Sequence, residues 1–359
     1  MARGVDGVSV VRIGALAPLS PPGWVGAGRQ LAAGLELGVR DVNAAGGIGG
    51  RPVELLVRDT AADPVRAAEA VGELAGLGVA ALVGEYHSVV ARAVAERAEA
   101  SGLPYLCSSA VLDGLVDGQA ARVARLAPAQ SYGWRVYAEF LLRAGHRRIA
   151  VAVAPGAYWA AGVEVLRGCF AAHGGEVVAF DLRGRPPRAL CDAVAGSGAG
   201  ALLLLVGHPD PAVPIVRAVR RDRRLRGLLL GAPAGQPEFG EWLDLLGADG
   251  AGVPFLSYLP ERLGPLGTRV DAELRELLGA EPSFVAFEGW DAVAVLAAAL
   301  RVAGGDGVRW PDVAVTGTRG PVRFSRVPGS GVWQWAWPPV RVIDRDPEDP
   351  TRWRTLHTA

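Results

Sequence analysis

One stretch, residues 79–109, constrains the fold of this chain more than any other. It contains an apolar run that ends at Val83, a helical pattern that ends near Ala100, and a second apolar run from Leu103 to Cys107. Apolar runs of this length indicate buried strands, and a helix between them predicts a parallel βαβ unit. Ligands of open α/β sheets bind at the carboxyl ends of the strands, so the turn after Val83 is a candidate site.

That turn is polar and runs from Glu85 to Ser88. We predict that Ser88 caps the following helix, because a serine oxygen can accept from the first free N–H groups. The start of a helix also presents a positive dipole end, which suits a carboxylate or a polarised carbonyl. We therefore predict that Tyr86, Ser88 and, after the next strand, Ser109 line a small-molecule site.

Strands and helices alternate through two series of domain length, from Val10 to Leu126 and from Ser131 to Leu256. Such alternation predicts an α/β fold with two doubly wound parallel-sheet lobes, joined near Pro128. Ligand sites commonly lie between domains, and hinged closure is the natural motion of such a pair. Beyond the second series, residues 320–343 alternate like antiparallel strands, which predicts one shared strand face for the three tryptophans Trp333, Trp335 and Trp337.

Composition excludes several classes of function. The chain has 359 residues with 50% hydrophobic content, enough for two cores, and its formal net charge is zero, which argues against nucleic-acid partners. It contains no lysine, which excludes a lysine Schiff base and a Walker-A lysine. Cys107, Cys169 and Cys191 stand apart without CxxC spacing, so we predict free thiols, no metal and no cofactor.

Residues 1–12 contain no long apolar segment, so the sequence as written predicts no secretory signal and a cytoplasmic location. A signal missing from this sequence would instead make the protein extracytoplasmic. No apolar run approaches about 20 residues, so we expect no direct membrane insertion. An enzyme is not predicted: His87 and Ser88 are adjacent and rarely point together, and no GxSxG motif is present.

Five segments carry a family resemblance, in this order along the chain: GALAPLS, VNAAGGIGGRPVEL, DTAADPVRAAEAV, LVGEYHS and FEGWDAVAVLAAAL. Together they resemble the type I periplasmic-binding-protein superfamily, and most nearly its leucine/isoleucine/valine-binding branch. The likeness covers nearly the whole chain. It implies three crossings between the lobes, with one lobe formed by residues 1–127 plus 257–325 and the other by residues 128–256 plus 326–359.

Within that branch, the patterns GEYHS and RGPVRF are similar to the short-chain amide and urea sensors and receptors. The resemblance implies that Ser88 holds a ligand carboxylate or amide and that Tyr86 is the tyrosine of the amide subgroup. It also implies that Ser109 and Ala110 contribute backbone groups, and that Tyr158 reaches the ligand from the second lobe.

Two departures from the family pattern bear on the ligand. Val111 stands where the amino-acid binders usually have threonine, and residues 232–235 contain no acid to pair a ligand ammonium. A buried ammonium without a partner is unfavourable. An uncharged ligand is therefore favoured, unless Glu85, Asp113 or Glu288 replaces the missing carboxylate.

Several of these positions also have simpler interpretations. Trp24 is a candidate lid over the ligand, and His208, at a strand end, is either a ligand contact or a turn histidine. Tyr86 is either a ligand contact or a loop residue, and Tyr158 a ligand contact or part of a hydrophobic staple.

Two functions follow from the resemblance. The first is a substrate-binding protein for ABC-type uptake of amino acids, amides or similar small polar solutes, with an ABC permease as partner. The second is a cytoplasmic amide-type sensor that acts on a regulatory protein partner.

Overall fold

The computed structural model describes residues 9–303 and 307–359, so most of the segment considered for a signal lies outside the described residues. The chain divides into two compact units. Unit 1 comprises Met1–Ala127 and Leu263–Pro338, and unit 2 comprises Pro128–Arg262 and Pro339–Ala359. The chain therefore passes from one unit to the other three times.

Unit 1 is built on a sheet of eight described strands. Numbered along the whole chain, these strands are β1 (Val11–Ala17), β2 (Val53–Asp59), β3 (Ala81–Gly84), β4 (Tyr105–Cys107), β5 (Val123–Arg125), β11 (Ala314–Gly317), β12 (Gly320–Arg326) and β13 (Trp333–Trp335). Their order across the sheet is β11-β12-β13-β5-β4-β3-β1-β2. The six strands from β13 to β2 are parallel, and β12 and β11 extend the sheet in antiparallel pairing.

Helices pack against this sheet in two groups. The helices of unit 1 are α1 (Val25–Ala44), α2 (Pro64–Gly76), α3 (Ser88–Ala100), α9 (Pro265–Leu278) and α10 (Phe284–Val302). Helix α1 packs on α10, and α2 packs on α3. The core between α2, α3 and the sheet includes Val71, Val94 and Tyr105, all fully buried. Coverage of a parallel sheet explains why its strands read as apolar runs.

Unit 2 repeats the pattern with a four-stranded parallel sheet, whose strands lie in the order Glu176–Asp181 (β7), Arg148–Val153 (β6), Ala201–Leu205 (β8) and Leu229–Gly231 (β9). Its elements are α4 (Gln130–Arg143), β6 (Arg148–Val153), α5 (Ala157–Ala171), β7 (Glu176–Asp181), α6 (Pro187–Ser197), β8 (Ala201–Leu205), α7 (Ala212–Arg221), β9 (Leu229–Gly231), α8 (Gly240–Leu246), β10 (Phe255–Ser257), β14 (Arg341–Arg345) and β15 (Trp353–Thr358). Strands β10, β14 and β15 form a separate antiparallel sheet. None of the described helices is both long and apolar enough to cross a membrane.

The later unit boundaries differ from the predicted 257 and 325, because strand pairing decides them. Strand β10 pairs with β14, so residues up to Arg262 stay in unit 2. Strand β13 pairs in parallel with β5, so residues 326–338 belong to unit 1.

The tryptophan prediction for the tail is wrong. Strand β13 ends at Trp335, and Trp337 lies beyond it with 83% of its surface exposed, whereas Trp335 is 2% exposed. The three side chains therefore do not share a buried strand face.

Candidate functional site

The turn after β3 is built around one glycine and one carboxylate. Gly84 has a φ of +117°, and a Cβ at this position would lie 2.0 Å from the Leu16 carbonyl oxygen. The Glu85 side chain is fully buried and accepts hydrogen bonds from the Thr60 hydroxyl (2.7 Å) and from the next two backbone N–H groups (2.7 and 2.9 Å). Burial raises the pKa of Glu85 to about 7, although these hydrogen bonds oppose the shift.

Three aromatic rings meet above this turn. The Tyr86 ring contacts Trp24 edge to face, with centroids 5.5 Å apart, and contacts His87 in the same way at 5.4 Å. The Trp24 backbone N–H donates to His87 Nε2 at 3.0 Å, so the neutral imidazole carries its proton on Nδ1. Burial lowers the pKa of His87 to about 4. The structure thus brings together Trp24 and Tyr86, two predicted ligand contacts from different loops.

Ser88 is the first residue of α3 rather than its cap. His87 occupies the N-cap position, and no side chain caps the helix, so the predicted capping role of Ser88 is wrong. The physical reason is that the Ser88 hydroxyl is turned toward the next loop, where it accepts from the Leu112 N–H at 3.3 Å. Ser88 is 9% exposed, and it lies beside the loop that holds the other predicted contacts.

That loop, residues 108–112, is called the ligand loop below because it carries the predicted contacts Ser109, Ala110 and Val111, and it is buried throughout. The Ser109 hydroxyl donates to Ser108 Oγ at 3.2 Å. The Ala110 carbonyl oxygen accepts from the Cys107 thiol, and the Val111 carbonyl oxygen accepts from Arg125 at 3.1 Å. Hydrogen bonds from Cys107 and Arg125, which belong to the same unit, therefore fix the backbone of this loop.

Two other predicted contacts lie in unit 2. Tyr158 is in the first turn of α5, where its ring packs edge to face on Trp134 and Trp159, and burial raises its pKa. His208 follows β8, and its side chain has 0% exposure. Its ring lies 5.7 Å from that of Trp242, and burial lowers its pKa to about 4. This packing against Trp242 of α8 favours the interpretation of His208 as a turn histidine. The ligand contacts of Tyr158 and His208 stay predictions.

Sequence reasoning missed a buried ionic cluster in unit 1. Arg319, with a fully buried side chain, donates to Glu288 at 3.1 Å and to Asp291 at 2.9 Å, and both carboxylates are fully buried. Burial raises the pKa of Glu288 to about 7, although Arg319 and Ser109 oppose the shift. The available signal was two acids within the otherwise apolar α10 segment.

Arg125 was also missed. It is fully buried at the end of β5, among residues that otherwise read as an ordinary strand. Within the described ranges, no three His, Cys, Asp or Glu side chains are grouped as a metal site requires.

Two α/β units, joined by three chain passages and carrying such strand-end turns, define a two-domain binding-protein architecture. Comparison with known families agrees: the model for periplasmic binding proteins matches residues 10–330. The chain belongs to this family.

Individual relatives match a smaller part of the chain than the family model does. The Leu/Ile/Val-binding protein homolog 7 of Brucella melitensis is 33% identical over 144 residues, which cover 39% of this chain and 34% of that protein. The match thus spans about a third of the length of this curated relative.

Solved structures share the whole fold. A leucine-binding protein, LivK, from Thermotoga maritima superposes with a TM-score of 0.80 at 20% identity, covering 97% of this chain and 98% of that one. A solute-binding protein of an ABC transporter from R. palustris, in complex with benzoate, gives a TM-score of 0.80 at 19% identity, with coverage of 98% and 96%. At this identity the likeness establishes the fold alone.

Proposed function

We propose that this protein binds a small polar solute without chemical turnover and delivers it to an ABC-type uptake system. The family match over residues 10–330 carries the proposal, and the names of the relatives favour transport over the cytoplasmic sensor. The proposal implies a location outside the cytoplasm and an ABC permease as partner. Ser88, Tyr86, Trp24 and the ligand loop contribute the contacts from unit 1.

We further propose that the ligand lacks an unpaired ammonium group. Glu85 is occupied by three hydrogen bonds inside the turn, and Glu288 shares the Arg319 guanidinium with Asp291. Residues 232–235 contain no acid, and although Glu288 Oε2 accepts no hydrogen bond from the described residues, burial raises the pKa of this carboxyl to about 7, so it is a weak counter-charge for a ligand ammonium at neutral pH. Because a buried ammonium without a counter-charge is unfavourable, amides, urea and simple carboxylates such as benzoate fit better than α-amino acids.

The test is a thermal-shift screen followed by calorimetry. The panel contains leucine, isoleucine, valine, other amino acids, urea, acetamide, butyramide and benzoate. A ligand present at 100 times its dissociation constant stabilises the folded state by about 2.7 kcal/mol, which is visible as a rise in Tm. We expect shifts with amides, urea or carboxylates, and recovery of the ligand unchanged after incubation.

Variants of the predicted site test whether the ligand binds there. We expect Ser88→Ala to weaken binding of the best ligand about tenfold, the effect of losing roughly 1.4 kcal/mol of interaction. Ser101→Ala, at the exposed end of the same helix, is the control and leaves affinity unchanged. Binding of leucine alone would contradict the ligand class, and binding that is indifferent to Ser88 would contradict the site.

A further inference from the structure

The ligand loop rests on a buried arginine. Arg125 donates from Nη1 to the carbonyl oxygens of Leu112 (2.6 Å) and Val111 (3.1 Å), and from Nε to Gln334 Oε1 at 2.7 Å. The side chain is fully buried, and burial lowers its pKa. Among the described residues Arg125 Nη2 has no hydrogen-bond partner, so the three bonds from Nη1 and Nε are the contacts that compensate the burial of this guanidinium.

Gln334 continues the connection on the other side. This residue of β13 is 4% exposed, and its Nε2 donates to the carbonyl oxygens of Ala127 at 2.7 Å and of Trp335 at 3.2 Å. Ala127 is the last residue of unit 1 before the first passage into unit 2, and β13 directly precedes the third passage after Pro338. The side-chain amide of Gln334 therefore links β13, which precedes the third passage, to Ala127 at the first passage.

The loop end of the connection reaches the proposed ligand contacts. The Leu112 carbonyl group accepts from Arg125, while the Leu112 N–H donates to Ser88 Oγ. A continuous path of hydrogen bonds thus runs from Ser88 through Leu112, Arg125 and Gln334 to Ala127. No residue on this path other than Ser88 was identified from sequence as important to binding.

We propose that Arg125 and Gln334 are positioning residues: they hold the ligand loop in its binding conformation and couple it to the chain at Ala127. This inference rests on the proposed function for its effect on affinity, but not for its effect on the loop. A ligand that contacts Ser88 and the ligand loop therefore perturbs the hydrogen bonds of this path as far as Ala127, where the chain first passes between the units.

The experiment is hydrogen exchange on the ligand-free protein, together with calorimetry using the best ligand of the screen. We expect Arg125→Met to speed amide exchange of residues 108–112 at least tenfold, to leave the strands of unit 2 protected, and to weaken ligand binding about tenfold. Gln334→Met keeps the Arg125 bonds to the loop, so it is expected to speed exchange mainly at residues 126 and 127, with a smaller loss of affinity.

Arg326→Met is the matched control. Arg326 is in the same unit and also donates to two backbone carbonyl groups, those of Gly331 (2.9 Å) and Ala120 (2.6 Å), which precede β13 and β5 at the opposite end of these strands. We expect it to lower Tm without changing exchange in the ligand loop or ligand affinity.

Loop exchange in Arg125→Met no faster than in Arg326→Met would overturn the inference, as would faster exchange with unchanged affinity. If Arg125→Met does not fold, Gln334→Met tests the connection to Ala127: exchange at residues 126 and 127 no faster than in Arg326→Met would overturn the inference. If no ligand of the panel binds, the proposed function fails, whereas the exchange result still decides whether the path holds the loop.

Discussion

At the residue scale, Gly84 shows how one backbone position shapes the candidate site. Its positive φ and its approach to Leu16 place the Glu85 carboxylate directly under the turn that carries Tyr86 and Ser88. The sequence indicated a turn here, because the apolar run stops. It did not indicate that glycine was obligatory, since the clash involves a neighbouring strand.

We predict that Gly84→Ala lowers the free energy of unfolding by about 3 kcal/mol or more, because the new Cβ meets a backbone atom in a conformation that L-residues avoid. Urea unfolding measures the loss. The control is Gly76→Ala at the end of α2, where a Cβ meets nothing within 4 Å and stability is expected to stay the same or rise slightly. Equal effects of the two substitutions would contradict the account of Gly84.

At the element scale, the sequence predicts a helix start correctly where a local side chain caps the helix. It does not do so where that side chain hydrogen-bonds a distant segment instead. Asp63 followed by Pro64 is a sequence signature of a helix start, and Asp63 does accept from the N–H groups of Val65 and Arg66 at 2.7 and 3.3 Å. Ser88 has the same type of signal, yet its hydroxyl is taken by Leu112 from another loop.

We therefore expect Asp63→Ala to destabilise unit 1 by about 1 kcal/mol through loss of the α2 cap. Ser283→Ala is the matched comparison, because Ser283 occupies the N-cap position of α10 without a side-chain capping bond. Its removal is expected to change stability by less than about 0.5 kcal/mol. Chemical unfolding of both variants checks the difference, and a larger effect at Ser283 would show that capping is not what Asp63 contributes.

At the scale of the whole molecule, buried titratable groups of opposite type set the dependence of stability on pH. Glu85 and Glu288 have pKa values raised to about 7, so their contribution to stability is present below pH 4.5 and is lost as pH rises toward 7. His87 and His208 have pKa values lowered to about 4, so their contribution is present above pH 6.5 and is lost as pH falls toward 4.

Between pH 4.5 and 6.5 these two effects oppose each other, and single variants separate them. We predict that the stability of Glu85→Gln relative to the unchanged protein rises as pH increases across this range. For His208→Gln, the relative stability falls across the same range. Urea unfolding at pH 4.5, 5.5, 6.5 and 7.5 measures both slopes, and slopes of the same sign would contradict the assignment of these groups.

Sequence alone determined the α/β class, the alternation of elements, the family resemblance and the turn where Tyr86 and Ser88 lie. These properties depend on local apolar periodicity and on short motifs, which neighbouring residues carry together. Only the tertiary structure decided the unit boundaries at Arg262 and Pro338, the aromatic contact of Trp24 with Tyr86, and the Arg125–Gln334 connection. Each of these depends on strand pairing, ring contacts or hydrogen bonds between segments far apart in the chain, for which no local pattern exists.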